Sequence, residues 1–349
     1  MAVGTNTSDT LRSTDPAPSP RAIFWLLGVL LTLLVCAVAA EIAARLANIQ
    51  PFHTRAGAYI GWAKRDPVLG WRNNPGVWRA DEAPHEPMTF LPDGSRTSGT
   101  PASATGDPIV VVGCSFAEGY GLADNQTFTW LLQHRFPRRP ILNFGTPGYG
   151  TYQSLVLLEE LLETKHIHPA AVIYGFLPLH APRNVLTWSL LEDFRAFGGQ
   201  RFSPPHVELR DGELRASPPF VVANWPLEGH SAFMTLLHQT ELRARLGDRE
   251  RDEERVTALL LLLMKSTVEK QHVPFLVATL LDSLPPGIEA YHRMAASMRR
   301  AGIEEIDVTY AGDETAPERL RVGGVGHPGP AVDEWWADKL SPWIARVEQ

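Results

Sequence analysis

Cysteine is scarce. The chain has two, Cys36 and Cys114, far apart in 349 residues, so a disulfide framework is excluded, and no Cys/His group has zinc-ligand spacing. Basic residues are the minority charge: 32 Lys and Arg against 39 Asp and Glu give a formal net charge of −7. No basic cluster is interleaved with aromatics, which excludes a nucleic-acid surface. Internal repeats with a period of roughly 20 to 50 residues are absent, so a solenoid or propeller is excluded. Gly323, Gly324 and Gly326 lack the lysine that a phosphate loop requires. Nothing in the chain implies a metal or a cofactor.

What is present begins with an uncharged apolar run, Ala22 to Ala40 (AIFWLLGVLLTLLVCAVAA), of 19 residues. At ~1.5 Å per residue, it nearly spans a ~30 Å hydrocarbon core. It has no polar face of the kind a helix on a soluble core keeps. Residues 1–21 ahead of it are polar and rich in Ser, Thr, Asp and Pro, and are expected to be disordered. A cleaved signal peptide is the rival, because Ala37-Val38-Ala39 resembles a cleavage site. Against it, the preceding polar region is long and only weakly basic, and the apolar run exceeds a usual signal core. Cys36 follows Leu-Leu-Val with no small residue before it, a poor lipidation signal. An uncleaved transmembrane signal-anchor at 22–40 is the favoured reading. Arg12 and Arg21 before the span and Arg45 and Arg55 after it nearly balance, so charge does not orient it.

Residues 41–105 read as a helical extension followed by an irregular collar rich in Pro, Gly and Asp, with a hairpin turn at Asp93-Gly94. From residue 106 to 349, short apolar runs alternate with helical patterns. IVVVG (109–113), PILNFG (140–145), AAVIYGF (170–176), PFLVATL (274–280) and IEEIDV (303–308) read as five strands. Helices are expected at 126–136, 152–165, 249–271, 287–301 and 331–347, the fourth capped by Gly302. This alternation predicts an α/β domain: a flavodoxin-like, doubly wound parallel sheet with helices on both faces. Its ligands bind at the carboxyl ends of the strands, where the winding reverses. Residues 180–247 interrupt the rhythm with a second hairpin signal, Asp211-Gly212, and read as an insertion suited to a lid.

The first strand runs into Gly113-Cys114-Ser115 at that edge. A serine hydroxyl becomes a nucleophile only when a base removes its proton, and the oxyanion it creates needs donors. A helix N-terminus supplies free N–H groups and a partial positive charge. Taken alone, Ser115 also reads as an ordinary helix cap. His327, in GVGHPGP just before the final helix, is the candidate base, although by itself it reads as a loop histidine. One serine after the first strand and one histidine before the last helix can meet at a single sheet edge.

These segments resemble the blocks of the GDSL, or SGNH, hydrolases. VVVGCSFAEGYGLADNQTFTWLLQ is similar to the first block, in which Ser115 takes the nucleophile's place. NFGTPGYGTYQ (143–153) resembles the second, with Gly145 matching the glycine whose N–H lines the oxyanion hole. GHPGPAVDEWWADKL resembles the last, making His327 the base. DPVLGWRNNPG and LPDGSRTSG resemble segments ahead of the core in membrane-anchored bacterial members. The likeness runs in scattered blocks over about 66 to 345. Two positions depart from the pattern. Cys114 replaces the first-block aspartate and reads as a small packing residue. Gly324 stands where an acid three residues before the histidine is usual, leaving Asp307 and Asp313 as candidate substitutes. In the third-block region, GFLPLHAPRN, Asn184 is a candidate oxyanion donor, and His180 and Arg183 are candidate substrate residues; fixing the start of the insertion is the alternative for all three.

The resemblance implies a membrane-anchored serine esterase or deacylase, its domain outside the cytoplasm, acting on acyl esters of envelope polysaccharide or lipid. Ser115 would attack, His327 would serve as base, and Ser115 and Gly145 N–H groups would hold the oxyanion. An O-acyltransferase on the same framework is the first alternative, since only the attacking hydroxyl differs. A catalytically inactive binding or accessory module is the second.

Overall fold

The computed structural model describes residues 19–54, 61–79, 86–198, 203–283, 288–312, 320–322 and 326–349. Residues 1–18 of the tail expected at 1–21, Asp313 and Gly324 lie outside them. The chain divides into two units, one from the N-terminal segment to Phe52 with Trp225–Thr240, the other from His53–Asn224 with Glu241–Gln349.

The larger unit is built on five parallel strands: β1 (Ile109–Gly113), β2 (Ile141–Asn143), β3 (Ala171–Phe176), β4 (Phe275–Thr279) and β5 (Glu304–Asp307). Their spatial order is β2-β1-β3-β4-β5, the flavodoxin-like arrangement, with the winding reversing between β1 and β3. Every residue of β1, β3 and β4 is buried, which explains their unbroken apolar runs: a central parallel strand has no wet face.

The two faces bury alternate residues of the same strands. Val110, Val112, Val172, Tyr174 and Val277 pack with α4 (Thr151–Glu159), α7 (Glu253–Glu269) and α8 (Ile288–Arg300). On the other face, Ile109, Val111, Ile173, Leu276 and Ala278 pack with α3 (Phe128–Arg135) and α9 (Pro330–Val347). There the fully buried Trp336 meets Phe128 edge-on, with ring centroids 6.1 Å apart. Burying one such aromatic contributes about 1.5–3 kcal/mol. A π turn, Glu160–Thr164, continues α4 where the sequence pattern suggested one unbroken helix.

The collar is part of this core. Trp62, Leu69, Trp71, Met88 and Phe90 belong to the same buried cluster as the α4 face of the sheet. Trp71 Nε1 donates to the Pro147 carbonyl at 2.8 Å, and Arg72 bridges Asp66 at 2.6 Å and Glu160 at 2.8 Å. The turn at Asp93-Gly94 forms, with Gly94 N–H donating to the Leu91 carbonyl at 2.9 Å. Of the insertion, α5 (His180–Val185), a helix at Trp188–Gly198 and a hairpin of His206–Arg210 with Glu213–Ser217 are seen in this unit. The hairpin turns through Asp211 and Gly212, both at positive φ, which suits the twist of its strands.

The smaller unit contains α1 (Pro20–Leu46) and the first half of α6 (Ala232–Leu246). Within α1, Ile23–Leu46 is long and apolar enough to cross a membrane; its large apolar residues are exposed, while Ala44 is buried.

Candidate active site

Ser115 is the first residue of α2 (Ser115–Glu118), directly after β1. At that position its own N–H has no intrahelical acceptor. Gly113 makes the tight junction possible: a Cβ there would lie 2.7 Å from the Ala117 Cβ and 2.8 Å from the Gly175 carbonyl oxygen. Cys114 is fully buried within the α3/α9-side cluster, consistent with a packing role.

Tertiary contacts hold α2 in place. The buried Arg96 donates through Nη1 to the Glu118 carbonyl at 3.0 Å and to that of Gly119, and through Nη2 to that of Leu122. Its guanidinium also meets Asp124 at 3.3 Å. A guanidinium thus satisfies the carbonyls that a short helix leaves open at its C-terminal end. Arg96 N–H pairs with the Asn143 carbonyl at 2.7 Å, joining the collar to β2. Asn143 Nδ2 in turn donates to the Ala117 carbonyl at 2.9 Å and to Thr129 Oγ1 at 3.0 Å.

His327 is delivered by a two-residue antiparallel pair, in which Val322 lies opposite His327. Its Nε2 stands 2.9 Å from Ser115 Oγ, across 212 residues of sequence. Phe116 and Tyr120 flank the imidazole, with ring centroids at 5.5 and 5.0 Å. The segment that follows is tied to α3: Phe128 N–H donates to Asp333 Oδ1 at 2.8 Å, so the first turn of α9 caps the start of α3. Asp333 is fully buried, and burial raises its carboxyl to about 8. Glu118 is also fully buried, with no hydrogen bond to either carboxylate oxygen among the described residues; burial raises it to about 8, opposed by the nearby Arg96 charge.

Gly145 sits against α2, where a Cβ would fall 2.4 Å from the Glu118 nitrogen. Its N–H donates to Asn143 Oδ1 at 2.9 Å. The three third-block residues are buried or half-buried within α5. Asn184 Oδ1 accepts Tyr152 N–H at 3.0 Å, and its Nδ2 donates to Thr151 Oγ1 at 3.2 Å and Thr257 Oγ1 at 2.8 Å. His180 Nδ1 is 2.6 Å from the Tyr174 hydroxyl, and burial holds its imidazole well below the usual range. Arg183 Nη1 donates to the Tyr149 carbonyl at 2.9 Å. These bonds fasten α5 to α4 and β3, and none of them reaches Ser115 or His327. Asp307 Oδ1 accepts the N–H of Thr309 at 2.9 Å and also its hydroxyl.

Sequence reasoning did not single out Arg96, Asn143 or Asp333. All three lie inside the family-like blocks, but a buried arginine in a Pro/Gly-rich collar carries no local signal of the helix it caps. Among the described residues, no group of three or more His, Cys, Asp or Glu could hold a metal ion.

Fold and site together define a doubly wound α/β domain with a serine–histidine pair at its switch point. No protein-family model and no curated protein matches the chain. The solved structures it resembles include GDSL-type lipolytic proteins. TesA is 17% identical, covering 69% of this chain and 99% of its own, with a TM-score of 0.39. A member of the lipolytic G-D-S-L family from Veillonella parvula is 11% identical over 68% of this chain and 98% of its own, with a TM-score of 0.38. The acetyl xylan esterase Est2A from Butyrivibrio proteoclasticus is 11% identical over 73% of this chain and 66% of its own, with a TM-score of 0.39.

Proposed function

We propose that this chain is a membrane-anchored serine ester hydrolase. The observation that carries the reading is the 2.9 Å approach of His327 Nε2 to Ser115 Oγ, within the reach that proton transfer demands. With the ring proton on Nδ1, Nε2 accepts the serine hydroxyl. As Ser115 Oγ attacks the acyl carbon, the proton passes to Nε2 and negative charge moves to the carbonyl oxygen. The Ser115 N–H, the first of α2, would receive that charge. The Gly145 N–H is the second donor; it now faces Asn143 Oδ1 and would share itself with the oxyanion. The imidazolium then protonates the leaving alcohol, and water, activated by the same nitrogen, releases the acid. Asn184 keeps its carboxamide for α4 and α7 in this reading. The span within α1 supplies the anchor, and acyl esters of envelope carbohydrate or lipid are the substrate class.

The test is labelling of the folded chain with a fluorophosphonate probe and turnover of a short p-nitrophenyl ester. Both should occur in the parent chain and vanish in Ser115→Ala. An unlabelled parent chain would overturn the reading in favour of a binding module; product analysis with a sugar acceptor would distinguish hydrolysis from acyl transfer.

A further inference from the structure

The smaller unit holds apolar surface at the depth where α1 leaves its uncharged run. Glu41 directly follows that run, and its carboxylate is the fastening point of α6. Oε1 accepts the Ala232 N–H at 3.1 Å; Oε2 accepts the Phe233 N–H at 3.0 Å and the Ser231 hydroxyl at 2.7 Å. Phe52 N–H adds a second tie, donating to the Glu228 carbonyl at 3.1 Å and to Thr235 Oγ1 at 3.0 Å. Bonds of this length place the start of α6 level with Glu41. The strap leading into α6 is internally fixed as well. His238 Nδ1 lies 3.0 Å from Glu228 Oε2, both side chains buried, and Trp225 stacks on His238 at 4.8 Å.

On this rigid strap, apolar side chains are turned outward. Leu227 is 67% exposed and Leu237 is 39% exposed, while Phe233 and Met234 are half-buried. Phe233 and Leu237 are four residues apart and share one helix face. Leu227 holds a positive φ of 65°, unusual for a bulky residue. We infer that Trp225–Leu237 is an interfacial membrane element: docked on Glu41, it inserts Leu227, Phe233 and Leu237 into the boundary between lipid headgroups and acyl chains. The partner is the lipid surface itself. An apolar helix face lying in the interface gains binding free energy from the area it buries there. The single span would then hold the protein together with a second contact that fixes its rotation and tilt. The inference rests on the anchored reading of α1.

The test uses the full-length chain in vesicles of phosphatidylcholine and phosphatidylglycerol. A Cys36→Ala background removes the exposed thiol; Cys114 is buried. Single cysteines at Leu227→Cys, Leu237→Cys, Val29→Cys and, as an aqueous reference, Asp211→Cys carry an environment-sensitive fluorophore. Nitroxide lipids labelled near the headgroup or at mid-chain report depth. Mid-chain nitroxide should quench Val29→Cys, and headgroup nitroxide should quench positions 227 and 237 several-fold more than Asp211→Cys. Adding Glu41→Ala should return position 227 towards the aqueous reference while leaving Val29→Cys unchanged. If Val29→Cys is quenched but positions 227 and 237 match the reference, the interfacial element is overturned and the anchor stands. Without quenching at Val29→Cys, both fall. Quenching at 227 that survives Glu41→Ala would overturn docking through Glu41. Shielding of the labels without lipid quenching would point to a protein partner and overturn the lipid assignment.

Discussion

Arg96 donates to the Glu118 carbonyl at 3.0 Å, closing the end of the four-residue helix that begins with Ser115. A helix that short has almost no hydrogen bonds of its own to hold it. The orientation of Ser115 therefore depends on an arginine from the collar, 19 positions earlier in the chain.

Replacing that guanidinium should separate positioning from chemistry. Arg96→Met leaves several buried carbonyls without donors, each costing about 1–3 kcal/mol. The melting temperature should fall by several degrees, and the turnover number should fall more than the Michaelis constant rises. Arg96→Lys should restore part of the stability, because an ammonium replaces the charge but not the fork. A variant with unchanged turnover would remove Arg96 from any role in placing Ser115.

Truncating His327, the proposed base, gives a second expectation. His327→Ala should lower turnover by about 10⁶, the loss seen when a serine–histidine machinery is deprived of its base. Substrate affinity and folding should change little, because His327 is only partly buried. Steady-state kinetics on a p-nitrophenyl ester, with thermal melting alongside, measures both.

Gly145 admits no side chain. In Gly145→Ala, the new methyl would meet the Glu118 nitrogen at 2.4 Å, a backbone contact that cannot swing aside. Overpacking of this kind costs about 1–3 kcal/mol or more. Ester turnover should drop sharply, since α2 must move and carry Ser115 with it. A variant with full activity and parent-like melting would show that the close approach of these segments has no bearing on the site.

Stability should carry a signature of the buried acid. Burial raises Glu118 from 4.5 to about 8 in the folded chain. Below pH 4.5, folded and unfolded chains both bind the proton, and no penalty exists. As pH rises, the unfolded chain ionises first, so stability is lost progressively until the folded carboxyl titrates near 8. A tenfold difference in proton affinity between the two states corresponds to about 1.4 kcal/mol, which makes the loss a few kcal/mol at most. Glu118→Gln should match the parent near pH 4.5 and exceed it in melting temperature at pH 8. Parallel curves for the two chains across that range would refute the assignment.

The three central strands were readable because central parallel strands are buried on both faces, leaving uninterrupted apolar runs such as IVVVG, which spans 109–113 in both pattern and structure. The long helix expected at 249–271 is seen at Glu253–Glu269, preceded by a 3-10 turn at Glu250–Asp252. Less was visible where local pattern and long-range contact part company. YQSLVLLEELLETK reads as one helix, yet it ends in a π turn where Arg72 binds Glu160. His180, Arg183 and Asn184 have polar chemistry at a strand end, but their hydrogen bonds run to α4, β3 and α7.

By itself, the sequence determined the elements: an uncharged run long enough to cross a bilayer, the strand–helix alternation, and a serine and a histidine at opposite ends of the α/β region. Hydrophobic periodicity and turn chemistry are local properties, set by residues a few positions apart. The tertiary structure alone decided that Ser115 and His327 lie 2.9 Å apart, that Arg96 closes the helix Ser115 begins and that Glu41 receives the start of α6. These contacts join residues 22 to 212 positions apart. Their partners are chosen by sheet topology and packing, which no short window of sequence contains.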